Sequence, residues 1–140
     1  CEMELSQGMI AKLIETATAQ LAYSYSPYSG FKVGAALLAE SGRIYTGCNI
    51  ENSAFSPTNC AERTAFFKAV SEGERKFRAI CIIGGKDISE TVCTPPCGVC
   101  RQVMAEFCDP KKFKVASGRE KYRILRLEEL LPFGFGSEYL

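Results

Sequence analysis

The sequence contains no histidine and no tryptophan. Without imidazole, the side chain that most readily trades protons near neutral pH is missing. Acid–base or metal chemistry must then rest on carboxylates and thiolates. There is also no Lys/Arg run longer than Lys111-Lys112, and the net charge is +1. That leaves no basic stripe for nucleic acid and no basic amphipathic helix for a membrane surface. No spanning segment is present, and the opening Cys1-Glu2-Met3-Glu4 lacks the basic and apolar regions of a secretory signal. These absences lead to the expectation of a cytoplasmic protein that partners neither nucleic acid nor membrane. Repeats, linkers and low-complexity stretches are absent too.

What is present suits one domain over residues 1–140. A chain of this size buries roughly two-thirds of its unfolded surface, so the core needs no covalent staples. The 24% charged and 46% hydrophobic content is that of an ordinary globular protein. Eight cysteines are many, and in an intracellular chain they point to metal binding and buried thiols rather than disulfides. Cys48 and Cys81 lie in strand-like sequence and are read as buried strand residues.

Residues 5–22 carry Ile10, Leu13, Ile14, Ala17 and Leu21 at helical spacing, with Ser6 as the cap. The turn-forming stretch Ser24–Gly30 ends that helix. Residues 31–38 and 43–48 read as two strands joined tightly at Ser41-Gly42. A second helix starts near Cys60, uses Ala65, Phe66, Ala69 and Val70 as its apolar face, and stops near Glu72-Gly73. The apolar run over 77–84 predicts a buried central strand. A third helix runs from Cys97 to about Cys108, two strands follow at 113–117 and 122–126, and a short helix over 127–131 ends at Pro132. Helices alternating with about five strands predict an α/β fold, a three-layer α/β/α sandwich on one five-stranded mixed sheet.

Two short stretches carry the chemistry, Cys60-Ala61-Glu62 and Pro96-Cys97-Gly98-Val99-Cys100. Cys97 and Cys100 are spaced to share one side of a first helical turn, and Cys60 would have to meet them in space. Three thiolates fall one short of a closed structural zinc site, whereas three protein ligands and a water form the catalytic arrangement. Glu62 is not a fourth ligand, because residues two apart on a helix face different ways. It is the group placed to move the protons of that water. Helix N-termini favour the thiolate form of cysteine. Three thiolates around a dication leave a net charge of −1, which Arg63 is placed to drain.

Cys-x-Glu followed by Pro-Cys-x-x-Cys is the three-cysteine form of the zinc deaminase signature. The chain resembles the small cytidine deaminases of pyrimidine salvage. The resemblance extends over Phe31–Leu37, Asn49-Ile50-Glu51-Asn52, Cys60–Ala65, Pro96–Val103 and Glu129-Leu130-Leu131-Pro132. It implies one Zn²⁺ per chain on Cys60, Cys97 and Cys100, with Glu62 as the proton shuttle in hydrolytic deamination of cytidine or deoxycytidine. It further implies that Asn49 and Glu51 hold the ribose 3′-hydroxyl, that Phe31 packs on the pyrimidine, and that the Ala61 backbone meets the base. Arg63 matches an arginine that hydrogen-bonds ligand sulfur. Phe55 stands where many relatives have tyrosine. The family is commonly homotetrameric, and Phe135, at the family's Pro-x-x-Phe spacing from Pro132, matches a phenylalanine that stacks in a neighbouring subunit's site. Phe133 is an extra aromatic.

Other readings stand beside this one. A structural zinc module would need Cys93 or Cys108 as fourth ligand, and the stiff Thr94-Pro95-Pro96 link makes Cys93 awkward. A deaminase of a cytosine-nucleoside antibiotic shares the zinc motifs, although Asn49-Ile50-Glu51-Asn52 favours a plain ribose.

Overall fold

The computed structural model describes residues 5–140; the opening Cys1-Glu2-Met3-Glu4, read above for a secretory signal, lies outside the described residues. Helix α1 (Gln7–Ala19) is capped by Ser6, whose hydroxyl accepts a hydrogen bond from the Met9 N–H at 3.1 Å. A 3₁₀ turn over Gln20–Tyr23 completes the expected helical stretch. Strands β1 (Lys32–Ala39) and β2 (Ile44–Cys48) form the expected antiparallel hairpin.

Helix α2 (Ala61–Ser71) follows, then β3 (Phe77–Gly85), β4 (Thr91–Val92), α3 (Gly98–Phe107), β5 (Lys114–Ser117), β6 (Arg123–Arg126) and α4 (Leu127–Leu130). The sheet runs β2-β1-β3-β5-β6, with β4 paired to the end of β3, so it has six strands rather than the expected five. The extra strand is two residues long, too short to show an alternating pattern in the sequence. The sheet is mixed as expected, since β3 pairs antiparallel with β1 and parallel with β5.

Strand β3 explains the three layers. Its side chains alternate between faces. Ile80 and Ile82 join a core with Leu37, Phe66, Met104, Phe113 and Leu127, under α2, α3 and α4. Ala79, Cys81 and Ile83 join a second core with Leu13, Ala17 and Leu21 under α1. Cys81 is fully buried as expected, while Cys48 is only half-buried. Cys48 ends β2, an edge strand, and its thiol points toward the Tyr23 carbonyl at 3.4 Å.

Two contacts fix where α2 and α3 begin. The Phe66 ring on α2 stacks against Phe107 on α3, with centroids 6.3 Å apart, and meets Phe77 edge-on at 5.0 Å. Such pairs contribute about 0.5–1.5 kcal/mol each beyond area burial. At the other end of α2, Gly47 in β2 lies against the helix backbone. A Cβ there would stand 2.3 Å from the Ala61 carbonyl oxygen and 2.6 Å from the Ala65 nitrogen. Only glycine lets the start of α2 rest on the strand at this depth.

Candidate active site

The site forms at the end of the sheet where β1 begins and where β2 and β3 finish. Gly34 pairs with Cys48 on one side and with Ile83 on the other. Phe31 enters that edge, Asn49 and Glu51 leave it, and the loop after β4 crosses it. The N-termini of α2 and α3 meet beside it.

Cys60 caps α2 with extended backbone, φ −74° and ψ 156°, and Cys97 caps α3 in the same way. Cys100 sits in the first turn of α3, where its N–H donates to the Cys97 sulfur at 3.4 Å. The three sulfurs converge, all within 4.8 Å of one another. Cys97 Sγ is 3.6 Å from Cys60 Sγ and 3.2 Å from Cys100 Sγ. A tetrahedral zinc with metal–sulfur bonds of about 2.3 Å has sulfur–sulfur edges of about 3.8 Å. These separations approach that edge and are far from a disulfide's. All seven described cysteines are free thiols.

Neither alternative fourth ligand joins the cluster. Cys93 is exposed, with its sulfur 3.9 Å from the Ser117 carbonyl oxygen. Cys108 ends α3 within the hydrophobic core, where burial pushes its thiol well above the ordinary range. Among the described residues, the cluster is Cys60, Cys97 and Cys100 alone.

The electrostatics favour the thiolate form of cysteine, the form that binds a metal. Two helix N-termini supply positive potential, and Arg63 Nη2 donates to the Cys60 sulfur at 3.4 Å. The Cys60 thiol is pulled down to about 5, first by its hydrogen bond with the Cys100 thiol and then by Arg63. Cys100 moves in the opposite direction, raised first by its hydrogen bond with the Cys60 sulfur and then by burial. Arg63 Nε is buried and has no hydrogen-bond partner, so a donor remains beside the sulfurs. Replacing Arg63 with glutamine should speed zinc release to a chelator by about tenfold, in line with losing one hydrogen bond to a charged group. An unchanged release rate and unchanged turnover would leave Arg63 an ordinary helix residue.

Glu62 is the second residue of α2, and its carboxyl lies within hydrogen-bonding reach of the Cys100 thiol. It is 4% exposed, and no other carboxylate among the described residues is buried. Burial pushes its carboxyl up to about 7, and negative charge at Cys60 adds to the rise. Among the described residues no arginine or lysine pairs with it, and a buried carboxyl without such a pair is costly to keep.

The other candidates lie around this centre in different states. Ala61 is fully buried under Gly47. Phe31 packs beside Gly84: a Cβ on that glycine would stand 3.1 Å from the Phe31 ring and 2.3 Å from the Thr94 hydroxyl. The Asn49 amide is largely committed to its own neighbourhood. Its Oδ1 accepts from the Val33 N–H at 2.9 Å and from the Ser24 hydroxyl, and its Nδ2 donates to the Phe31 carbonyl at 2.8 Å. One amide N–H remains. Glu51 accepts from the Tyr28 N–H at 2.9 Å, the Ser29 N–H at 3.2 Å and the Ser29 hydroxyl. The Ser29 hydroxyl holds its carboxyl below the usual range. Asn49 and Glu51 therefore shape the 24–33 segment that delivers Phe31. Phe55 is exposed with φ 63°.

Phe135 does not join the cluster. Its ring stacks on Tyr139, with centroids 5.2 Å apart. The groove it lines runs along the C-terminal half of α3 and includes none of Cys60, Glu62, Cys97 or Cys100. Arg101 and Gln102, which belong to the matched motif but drew no role from the sequence, make side-chain bonds to backbone carbonyls of Pro96, Leu130 and Phe135.

Comparison with known proteins agrees with this geometry. Residues 9–117 match the family described as the cytidine and deoxycytidylate deaminase zinc-binding region. The chain is 59% identical over 100 residues to a cytidine deaminase of Sporosarcina psychrophila, covering 71% of each chain. It is 50% identical over 117 residues to one of Halalkalibacterium halodurans, covering 82% of this chain and 85% of the relative. The crystal structure of cytidine deaminase from Burkholderia pseudomallei superposes with a TM-score of 0.81 at 41% identity, covering 89% of this chain and 97% of that one. One zinc per chain fits the cysteine cluster of this zinc-binding region. With the zinc-binding region, the fold and the three-cysteine cluster in agreement, the chain belongs to the cytidine and deoxycytidylate deaminase family.

Proposed function

We propose that this protein hydrolytically deaminates cytidine and deoxycytidine, giving the uridine counterparts and ammonia, as a step of pyrimidine salvage. The observation that carries this reading is the buried carboxyl of Glu62 two residues beyond a cap cysteine of a three-sulfur cluster. Cys60, Cys97 and Cys100 would hold the metal. When bound, zinc with an open position lowers the pKa of a water and so supplies the nucleophile.

Everything else falls to the chain's own groups. Glu62 takes a proton from the water that attacks C4 of the base and delivers it to N3. As the C4–N bond breaks, it passes the second proton to the departing amine. A carboxyl held near 7 by burial gives and takes protons near neutral pH. Phe31 packs against the pyrimidine, the Ala61 backbone contacts the base, and Asn49 and Glu51 hold the ribose 3′-hydroxyl with the amide N–H and the acceptor site left over from their loop bonds. The test is ammonia release from cytidine, deoxycytidine and cytosine. Turnover of the nucleosides but not the free base is expected; no release from any of them overturns the reading. Turnover confined to a modified cytosine nucleoside would favour the antibiotic-deaminase alternative.

We further propose that residues 1–140 act as one domain, located in the cytoplasm, and that four copies assemble with active sites shared between chains. No helix among the described residues is long and apolar enough to cross a membrane. The support for assembly is the tail. Phe133 is fully exposed with φ 53°, and Phe135 is 58% exposed away from its own cluster. Exposed aromatics of this kind are common interface anchors. Stacking on a base is worth roughly 1–3 kcal/mol, so Phe135→Ala should raise KM by about tenfold. Mixing Phe135→Ala subunits with Glu62→Ala subunits should restore activity, because some centres then carry neither defect. Subunit exchange without recovery would place Phe135 outside a neighbour's site.

A further inference from the structure

Two consecutive side chains of α3 reach backbone outside the helix, in the loop just before it and in the C-terminal segment. Arg101 Nε donates to the Pro96 carbonyl at 2.8 Å, and its Nη1 donates to the Leu130 carbonyl at 2.6 Å. Gln102 Nε2 donates to the Phe135 carbonyl at 2.8 Å. Each acceptor needs a donor from elsewhere. Pro95 and Pro96 have no N–H, so the loop before Cys97 has little of its own with which to hold its carbonyls. Leu130 is the last residue of a four-residue helix, whose final carbonyls have no partner within the helix. A guanidinium fits both tasks because its donors form a planar fork, while a lysine offers one point charge.

We propose that Arg101 and Gln102 form a clamp on one turn of α3 that couples the metal-binding loop to the C-terminal tail. Arg101 is a positioning residue for Cys97: it holds the carbonyl immediately before that ligand and ties it to the end of α4. Gln102 holds the tail alone, at the residue whose ring is exposed for binding. The kinetic consequence rests on the deaminase reading; the structural consequences do not.

The clamp predicts a split between the two residues. In the zinc-loaded protein, Arg101→Met should speed zinc transfer to a chromogenic chelator by about tenfold or more, the scale of one lost charge-assisted hydrogen bond. It should also speed amide hydrogen exchange over residues 94–97 and 130–136. Gln102→Leu should speed exchange over 133–137 and raise KM severalfold, with zinc transfer unchanged. Arg101→Lys, which keeps the charge and one bond at a time, should fall between parent and Arg101→Met and covers the case in which Arg101→Met does not fold. Unchanged zinc transfer in both Arg101 variants overturns the clamp. So does Gln102→Leu releasing zinc as fast as Arg101→Met, which would signal general loosening of α3. If the parent protein turns over no cytosine nucleoside, the deaminase reading fails while the zinc and exchange measurements still decide the clamp.

Discussion

Glu62→Ala is expected to lower turnover of cytidine by about 10⁴-fold or more while zinc content stays at one per chain. General acid–base steps are typically worth about 10²–10⁴-fold, and in the proposed mechanism one carboxyl serves both directions of proton movement. The sequence has no histidine to substitute for it. Among the described residues no second buried carboxylate stands near the cluster. The fold should survive, because Glu62 makes no salt bridge and its burial carries a cost of its own. Removing it leaves a small cavity but relieves that cost. Zinc content and the thermal unfolding midpoint should therefore stay close to those of the parent. Near-parental turnover in the folded, zinc-loaded variant would be fatal to the mechanism.

Cys100→Ala is the second large effect. Cys100 is buried at the meeting point of the two helix starts, and its sulfur is 3.2 Å from that of Cys97. Removing it leaves two thiolates, too few to hold zinc in the catalytic arrangement. Zinc measured by elemental analysis should fall to a small fraction of one per chain, and activity should be lost with it. Cys93→Ser is the matched control. Cys93 is exposed and outside the cluster, so zinc and turnover should both be retained. Loss of zinc in Cys93→Ser would revive the structural-site reading with Cys93 as fourth ligand.

Much of this was legible in the sequence because it depends on local spacing. Ile10, Leu13, Ile14, Ala17 and Leu21 repeat at helical intervals; all but the half-buried Ile14 are buried, and Leu21 falls in the 3₁₀ turn after α1. The Ser6 cap and the stop at Gly73, with φ +100°, follow from backbone rules that act within a few residues. The zinc cluster was readable for a different reason. Metal chemistry restricts which residue types can serve, and helix starts restrict where they sit.

What the sequence concealed depends on contacts between distant segments. Strand β4 exists because Thr91 and Val92 happen to lie beside Gly85 and Gly84; two residues carry no period. Cys48 looks like an interior strand residue, but it falls at the end of an edge strand. Asn49 and Glu51 look like free polar groups after a strand, yet most of their hydrogen-bonding capacity goes to residues 24–33. Arg101 and Gln102 act on backbone carbonyls, which every residue possesses, so no side-chain pattern marks their partners. Gly47 shows the same limit. Its need for a bare backbone comes from the Ala61 carbonyl beside it, a neighbour fourteen positions away in sequence.

The most direct test of the central claim, a three-thiolate zinc with one position left for water, is X-ray absorption at the zinc edge of the purified protein. Three sulfurs at about 2.3 Å and one lighter oxygen or nitrogen neighbour at about 2.0–2.2 Å are expected. Four sulfurs, or a shell with no light neighbour, would mean a closed structural centre and would contradict the catalytic role assigned to Cys60, Cys97, Cys100 and Glu62.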